Sequence, residues 1–260
     1  MAVHTMNKEL INEAKKHLIS IKYDNLNPII KNFTNAEELC LLGGRQAMGK
    51  TSFSLNIAAE MLNQGKRVVI ISLESMAYQI VGKLIPLFME NDNDFDNDVN
   101  QIISSGLIID DTSLIDVDDL FNKEYVNQAD FIVIDYLGLI SVSQKLLFSS
   151  RKNQCEYVLK RLKKLSTEKE ISILVNAQLS HKVEYRDNKR PLISDFSIDE
   201  KIIREYADNV ILLYRDDMYY RSKEQKGILE SNIIKTGNNC SNLYYHNSLY
   251  YDLNKDPFYK

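Results

Sequence analysis

The sequence has 260 residues, 44% hydrophobic and 26% charged, with a formal net charge of −4 and a pI near 5.7. That balance fits one large α/β domain and excludes a broadly basic nucleic-acid coat, although a ring pore needs only a few basic groups per subunit. Cys40, Cys155 and Cys240 are scattered without metal spacing, the start has no signal-peptide core, and no apolar run approaches a membrane span, so the expected compartment is the cytoplasm.

Residues 7–21 carry Leu10, Ile11, Ala14 and Leu18 on one face and predict an amphipathic helix. Its apolar stripe has two candidate docking sites, its own domain or a neighbouring subunit. Residues 23–37 are polar and read as an irregular linker. The expected division is therefore a linker helix and linker over 1–37 and one domain over 38–260.

Residues 38–42 (Glu-Leu-Cys-Leu-Leu) read as a short buried strand leading into Gly43. Gly44-Arg45-Gln46-Ala47-Met48-Gly49-Lys50-Thr51 follows, a complete match to G-x-x-x-x-G-K-[ST], and Ser52 opens a stretch to residue 62 with apolar residues at helical spacing. Strand, glycine loop and helix together predict a phosphate site. Gly44 and Gly49 let the backbone curl so that successive N–H groups face phosphate oxygens, and the helix start adds its dipole. In that setting Lys50 reaches the β- and γ-phosphates of ATP, and the Thr51 hydroxyl ligates Mg²⁺.

Val68-Val69-Ile70-Ile71-Ser72-Leu73 is a β-branched run of the kind found in central parallel strands. Glu74 stands at its C-terminal end, where a carboxylate could polarise an attacking water. Residues 76–89 predict a helix interrupted near Pro86. The alternating aspartates of residues 91–100 suggest calcium, but the Gly and Glu of an EF-hand loop are replaced by Asn97 and Ile103, leaving a solvated loop as the expectation. Residues 106–110 read as a strand and 114–127 as a helix.

Phe131-Ile132-Val133-Ile134-Asp135 is four apolar residues ending in an acid, which places Asp135 beside Thr51 in the outer coordination layer of Mg²⁺. Tyr136 follows instead of a second acid, which favours Glu74 as the hydrolytic carboxylate. Residues 150–169 form a long basic helix, and 171–177 another core strand ending at Gln178, an amide able to touch both a γ-phosphate and the loop beyond. That loop, 180–197, holds His181, Lys182, Arg186, Lys189 and Arg190. It reads either as a channel loop meeting nucleic-acid phosphates or as a plain polar loop. A helix over 198–206, a strand over 208–214, and an antiparallel pair over 229–235 and 242–250, joined by Thr236-Gly237-Asn238-Asn239, complete an α/β pattern with a mostly parallel sheet.

The motifs, taken in order, resemble the C-terminal RecA-like motor domain of the DnaB family of replicative DNA helicases. They are the phosphate loop; Ser72-Leu73-Glu74; Val133-Ile134-Asp135-Tyr136-Leu137; Gln178-Leu179-Ser180; Lys189-Arg190-Pro191 with Ser194-Asp195; and Ala207-Asp208 through Leu213-Tyr214-Arg215-Asp216-Asp217. The resemblance spans roughly residues 38–250. It implies a P-loop ATPase fold with a central sheet flanked by helices. It gives Lys50 to phosphate, Thr51 and Asp135 to Mg²⁺, Glu74 to general-base work and Gln178 to γ-phosphate sensing. Ser52 and Arg215 join the nucleotide-binding set. The resemblance also implies a homohexameric ring around single-stranded DNA, with ATP at the subunit interfaces.

Three departures accompany it. The family's N-terminal helical domain has no counterpart. The family's Lys-x-Arg, which reaches the neighbour's γ-phosphate, reads Lys235-Thr236-Gly237, so the lysine stands without the arginine; Arg215 and Arg221 are the candidate substitutes. The family's Arg-Glu-Ser-Gly channel loop is replaced by Ser197-Ile198-Asp199-Glu200-Lys201. Two functions follow as expectations: a DNA-translocating ATPase, or an ATP-binding module without efficient hydrolysis that acts through a replication partner.

Overall fold

In the central strands, alternation decides which side chain faces which layer. In β2 (Leu39–Gly44), Cys40 and Leu42 enter one buried core while Leu39 and Leu41 enter the other. The same division holds in β3 (Val68–Ser72) and β5 (Phe131–Asp135), where every residue is buried. It recurs in β7 (Asn209–Arg215), whose Ile211 and Leu213 point opposite to Val210 and Leu212. A strand apolar on both sides needs cover on both sides, and such sheets are parallel ones with helical crossovers.

The structure is a computed structural model and describes residues 3–18, 22–23, 26–30, 37–88, 95–143, 149–220, 227–235 and 247–252. With β1 (Val3–Thr5), β4 (Ile108–Asp110), β6 (Ser172–Gln178), β8 (Ile228–Lys235) and β9 (Asn247–Asp252), these residues form one nine-stranded sheet in the order β1-β4-β3-β5-β6-β2-β7-β8-β9. The run from β4 to β7 is parallel; β8 and β9 add an antiparallel pair at one edge and β1 an antiparallel strand at the other. This is the expected fold class: a mostly parallel sheet with helices on both faces and a C-terminal antiparallel pair.

The helix α3 (Lys50–Asn63) packs Phe53, Leu55, Ile57, Met61 and Leu62 into one core, beside α4 (Ala77–Phe88). The long helix α7 (Arg151–Lys169) covers the other face with Val158, Leu159, Leu162 and Leu165, joined by Ile202 and Ile203 of α8 (Glu200–Tyr206). Ser150 caps α7 by accepting from the Asn153 amide.

Several expected elements differ. The helix predicted over 7–21 is shorter: α1 (Lys8–Ala14), capped by the Asn7 side chain, followed by one 3-10 turn over Lys15–His17. Its Ile11 and Ala14 are buried in the core shared with α4, where Gly82 lets the two backbones meet; a Cβ at Gly82 would sit 2.6 Å from the His17 carbonyl oxygen. The stretch read as linker contains α2 (Asn27–Ile30), with Tyr23, Leu26, Ile29 and Ile30 buried. Helix α4 passes through Pro86 to Phe88 without a break there.

Residues 91–94 of the expected acidic loop lie outside the described residues, but 95–104 form a helix, α5 (Phe95–Ser104). The helix predicted over 114–127 is not continuous. Ile115 and Val117 are buried while Leu114 is exposed, Asp116 bridges to Ser141, and helical turns start only at Asp119 and at α6 (Glu124–Asn127). The Asp116 side chain accepts from the Asp118 amide, a local bond that competes with helix. The turn expected at residues 236–239 and Arg221 lie outside the described residues.

Candidate nucleotide-binding site

Parallel strands deliver their C-terminal ends to one side of the sheet, where the order reverses around β2 and a crevice opens. Gly44 ends β2, and α3 starts six residues later at Lys50. Between them Gly49 takes φ +89° and Ala47 φ +60°, left-handed values that curl the loop back on itself. Gly43, just before, packs where a Cβ would lie 2.5 Å from the Phe196 ring. Glycine there lets the base of the loop lie against the segment after β6.

A cleft of about 550 Å³ opens above the loop. Gln46, Ala47, Gly49, Lys50, Thr51 and Ser52 line one side; Glu74, Asp135, Gln178 and Arg215 reach it from the ends of β3, β5, β6 and β7. Tyr136, part of the family motif but without an expected site role, lines it too. The Thr51 hydroxyl donates to Asp135 Oδ2 at 2.6 Å. The Leu73 amide donates to the Asp135 carbonyl at 2.8 Å, which locks the ends of β3 and β5 together and fixes where Glu74 leaves the sheet. Glu74 and Gln178 are both exposed to the cleft.

Lys50 donates from Nζ to the Gly44 and Arg45 carbonyls, at 3.0 Å each. Burial pushes its pKa down, opposed by the negative charges of Asp135 and Glu74. A part-buried ammonium held only by carbonyl oxygens, above a loop with left-handed turns, has the chemistry of a phosphate cradle. Arg215 is paired with Asp217 at 2.8 Å at the far wall.

Arg45, Met48 and Lys235 are not among the residues that line the cleft, and for Lys235 that was the expectation. The Arg45 side chain is buried and turned to the opposite side, donating to Glu184 Oε1 at 2.6 and 2.9 Å and to the Leu179 carbonyl at 2.8 Å, with His181 Nδ1 2.7 Å away. Arg45 in turn holds the Glu184 carboxyl below the usual range. Met48 is buried in the core, so its contribution to the loop is its backbone. Lys235 ends β8 opposite Asn209, the first residue of β7, and so stands at the end of the sheet away from its own chain's cleft.

The basic loop over 180–197 is braced from within. Arg186 grips Asp195 with two bonds of 2.8 and 2.9 Å, Arg190 pairs with Glu230 at 2.8 Å, and Lys189 donates to the carbonyls of Glu184 and Arg186. Asp195 is buried and also accepts from the Leu192 amide. Arg186 and Lys189 find their partners within the loop itself, whereas Arg190 takes Glu230 from β8.

Comparison with known proteins agrees with this geometry. The family model described as DnaB-like helicase C terminal domain matches residues 19–242. The replicative DNA helicase DnaB of Geobacillus stearothermophilus is 34% identical over 77% of this chain and 48% of its own length. A probable plasmid replicative DNA helicase of Chlamydia psittaci is 36% identical over 73% of this chain and 45% of its own. The chain thus spans about half the length of these relatives. Among solved structures, that of a DnaB-like replicative helicase, described together with its interactions with primase, shares the fold with a TM-score of 0.69 at 24% identity, covering 83% of this chain and 56% of that one. The motif order, the cleft at the strand ends and the matched family model place the chain in the family of DnaB-like helicase C-terminal domains.

Proposed function

We propose that the chain is an ATP-hydrolysing motor of the DnaB type, which moves along single-stranded DNA as part of a homohexameric ring in the cytoplasm. The observation that carries the reading is the meeting of Lys50, Thr51, Asp135, Glu74, Gln178 and Arg215, from five strand ends, around one cleft. Backbone amides of the loop and the Lys50 ammonium hold the phosphates of ATP. Mg²⁺ would be held by the Thr51 hydroxyl, backed by Asp135, with phosphate and water as its other ligands. Bound there, the ion would neutralise charge on the phosphates.

Glu74, exposed on the cleft wall beyond β3, accepts the proton of the water that attacks the terminal phosphorus. Gln178 contacts the terminal phosphate and passes the state of the cleft to residues 179–197. Lys235, at the end of the sheet away from its own cleft, serves a neighbour's site in the ring.

The second reading, an ATP-binding module acting through a replication partner, draws on the braced loop. With Arg186, Lys189 and Arg190 engaged inside the chain, fewer cations are left for DNA, and Gly237 supplies no arginine finger, a group worth about 10³-fold or more in rate.

Solution mass measured with and without ATP–Mg²⁺ and a single-stranded oligonucleotide, with phosphate release followed in the same samples, separates the two. A hexamer with DNA-stimulated release supports the motor. A monomer that binds nucleotide and barely turns it over supports the module.

A further inference from the structure

Strand β6 is buried from Ser172 to Ala177, and in that run stands one carboxamide, Asn176, with 0% of its surface exposed. We infer that Asn176 and Ser54 are a pair of positioning residues for the metal side of the cleft: through Ser54, Asn176 fixes Thr51 against the end of β6. The inference rests on the Mg²⁺ reading above and deepens it.

Placement is the first argument. Alternation puts Ile70 of β3, Val133 of β5 and Leu174 of β6 in the core that α3 fills, so Ser72, Asp135 and Asn176, each two residues further along, share that face. Ser72 pairs in register with Asp135, and the β5–β6 register, running through Ile134 and Val175, brings Asn176 alongside Asp135 on the other flank. A buried polar row thus crosses three strands beneath the first turn of α3.

The bonds are the second argument. Asn176 Nδ2 donates to Ser54 Oγ at 3.1 Å, and Ser54, itself buried, donates to the Thr51 carbonyl at 3.0 Å. The Thr51 hydroxyl donates to Asp135 Oδ2, on the strand next to β6. Thr51 is therefore held twice, by its backbone to β6 and by its side chain to β5. A serine bonding back to a carbonyl one turn earlier does little for the helix itself. Its effect falls on the peptide that carries Thr51.

Cost is the third argument. Among the described residues Asn176 Oδ1 has no hydrogen-bond partner, and a buried carboxamide with an unmatched oxygen costs stability. Leucine has the same branching and no such cost, so folding alone does not account for an amide here. Gln178 lies two residues along on the same face and reaches the cleft, so a movement at the end of β6 is carried to Thr51.

The test is the affinity of a fluorescent ATP analogue, measured with Mg²⁺ and with EDTA, together with the melting temperature. It uses the 260-residue chain and its Ser54→Ala, Asn176→Leu and double variants. In every variant the gain in affinity that Mg²⁺ brings should fall about tenfold, with the affinity in EDTA unchanged. The double variant should lose no more than either single one, because the two residues act in series. Ser54→Ala should melt below the wild type, since the Asn176 amide loses its acceptor, while the double variant, apolar at both places, should melt at or above it. A Mg²⁺ gain that recovers in the double variant along with the melting temperature makes the pair structural only and overturns the inference. A wild-type gain in Ser54→Ala does the same, and that variant carries the test if Asn176→Leu does not fold. An equal loss in EDTA moves the effect to the phosphate loop and overturns the metal assignment. A wild-type chain that binds equally with and without Mg²⁺ overturns the Mg²⁺ reading itself, a result visible before any variant is compared.

Discussion

Two neighbouring regions of this molecule handle charge in opposite ways. In the nucleotide cleft, among the described residues, Lys50 donates its hydrogen bonds to backbone carbonyls alone, with no ion pair, and Glu74 has no hydrogen-bonding partner. Behind the cleft, between β6 and β7, Arg186, Arg190 and Asp195 are matched with opposite charges. Charges left unmatched by the protein await a ligand; charges matched inside the chain hold its shape. By that criterion a basic residue count overstated what the loop offers to DNA, while two unmatched residues identify the chemistry of the cleft.

The contrast yields predictions that can break it. The largest effect belongs to Glu74→Gln, which should lower turnover by roughly 10²–10⁴ while ATP still binds and the melting temperature holds. Phosphate release and nucleotide binding measured together would check it; an unchanged rate removes Glu74 as the base. Lys50→Ala should cost on the order of 10²–10³ in turnover, with a melting temperature equal to or above that of the wild type, because an ammonium that burial disfavours is removed. A large loss of stability would mean that Lys50 holds the loop together and is no ligand group.

Asp195→Ala inverts the pattern. It leaves Arg186 without its acid and the Leu192 amide without its acceptor, and should cost about 3 kcal/mol in a urea melt. Nucleotide affinity should move little. The smallest effect is at Asp130, whose carboxyl is held below its ordinary value chiefly by its hydrogen bond from Arg67. A lowered carboxyl pKa adds stability above the unfolded value and loses it as pH falls through the folded one. The stability gap between wild type and Asp130→Asn should therefore be present at neutral pH and close in acid. A gap that widens in acid would reverse the sign assigned to this pair.

Much of the site could be read in the sequence because phosphate chemistry demands particular residues at consecutive positions. Gly44 through Thr51 could be read without any knowledge of the fold, and Asp135 followed from a strand too apolar to lie at the surface. Arg45 shows where such reading stops. Its place in the loop follows from the motif, but its direction is set by Glu184, 139 residues away. The element errors share that origin. Residues 114–118 have helical composition by count, yet Ile115 and Val117 are drawn inward in alternation and Asp116 folds back on the chain. Residues 23–37 look polar, but Tyr23, Leu26, Ile29 and Ile30 are buried in the core that α3 also fills.

The three residues of β1 cover what would otherwise be an open edge of the sheet. Without them β4 would present a row of unpaired backbone groups at the end of a long parallel sheet, an open template for strand addition between chains. Val3–Thr5 fill that row, and a strand so short, tied at its middle by His4 to Asp111, offers little length for the next chain to pair with. Trimming the chain to residue 8 should uncover the β4 edge, and self-association measured by light scattering should rise.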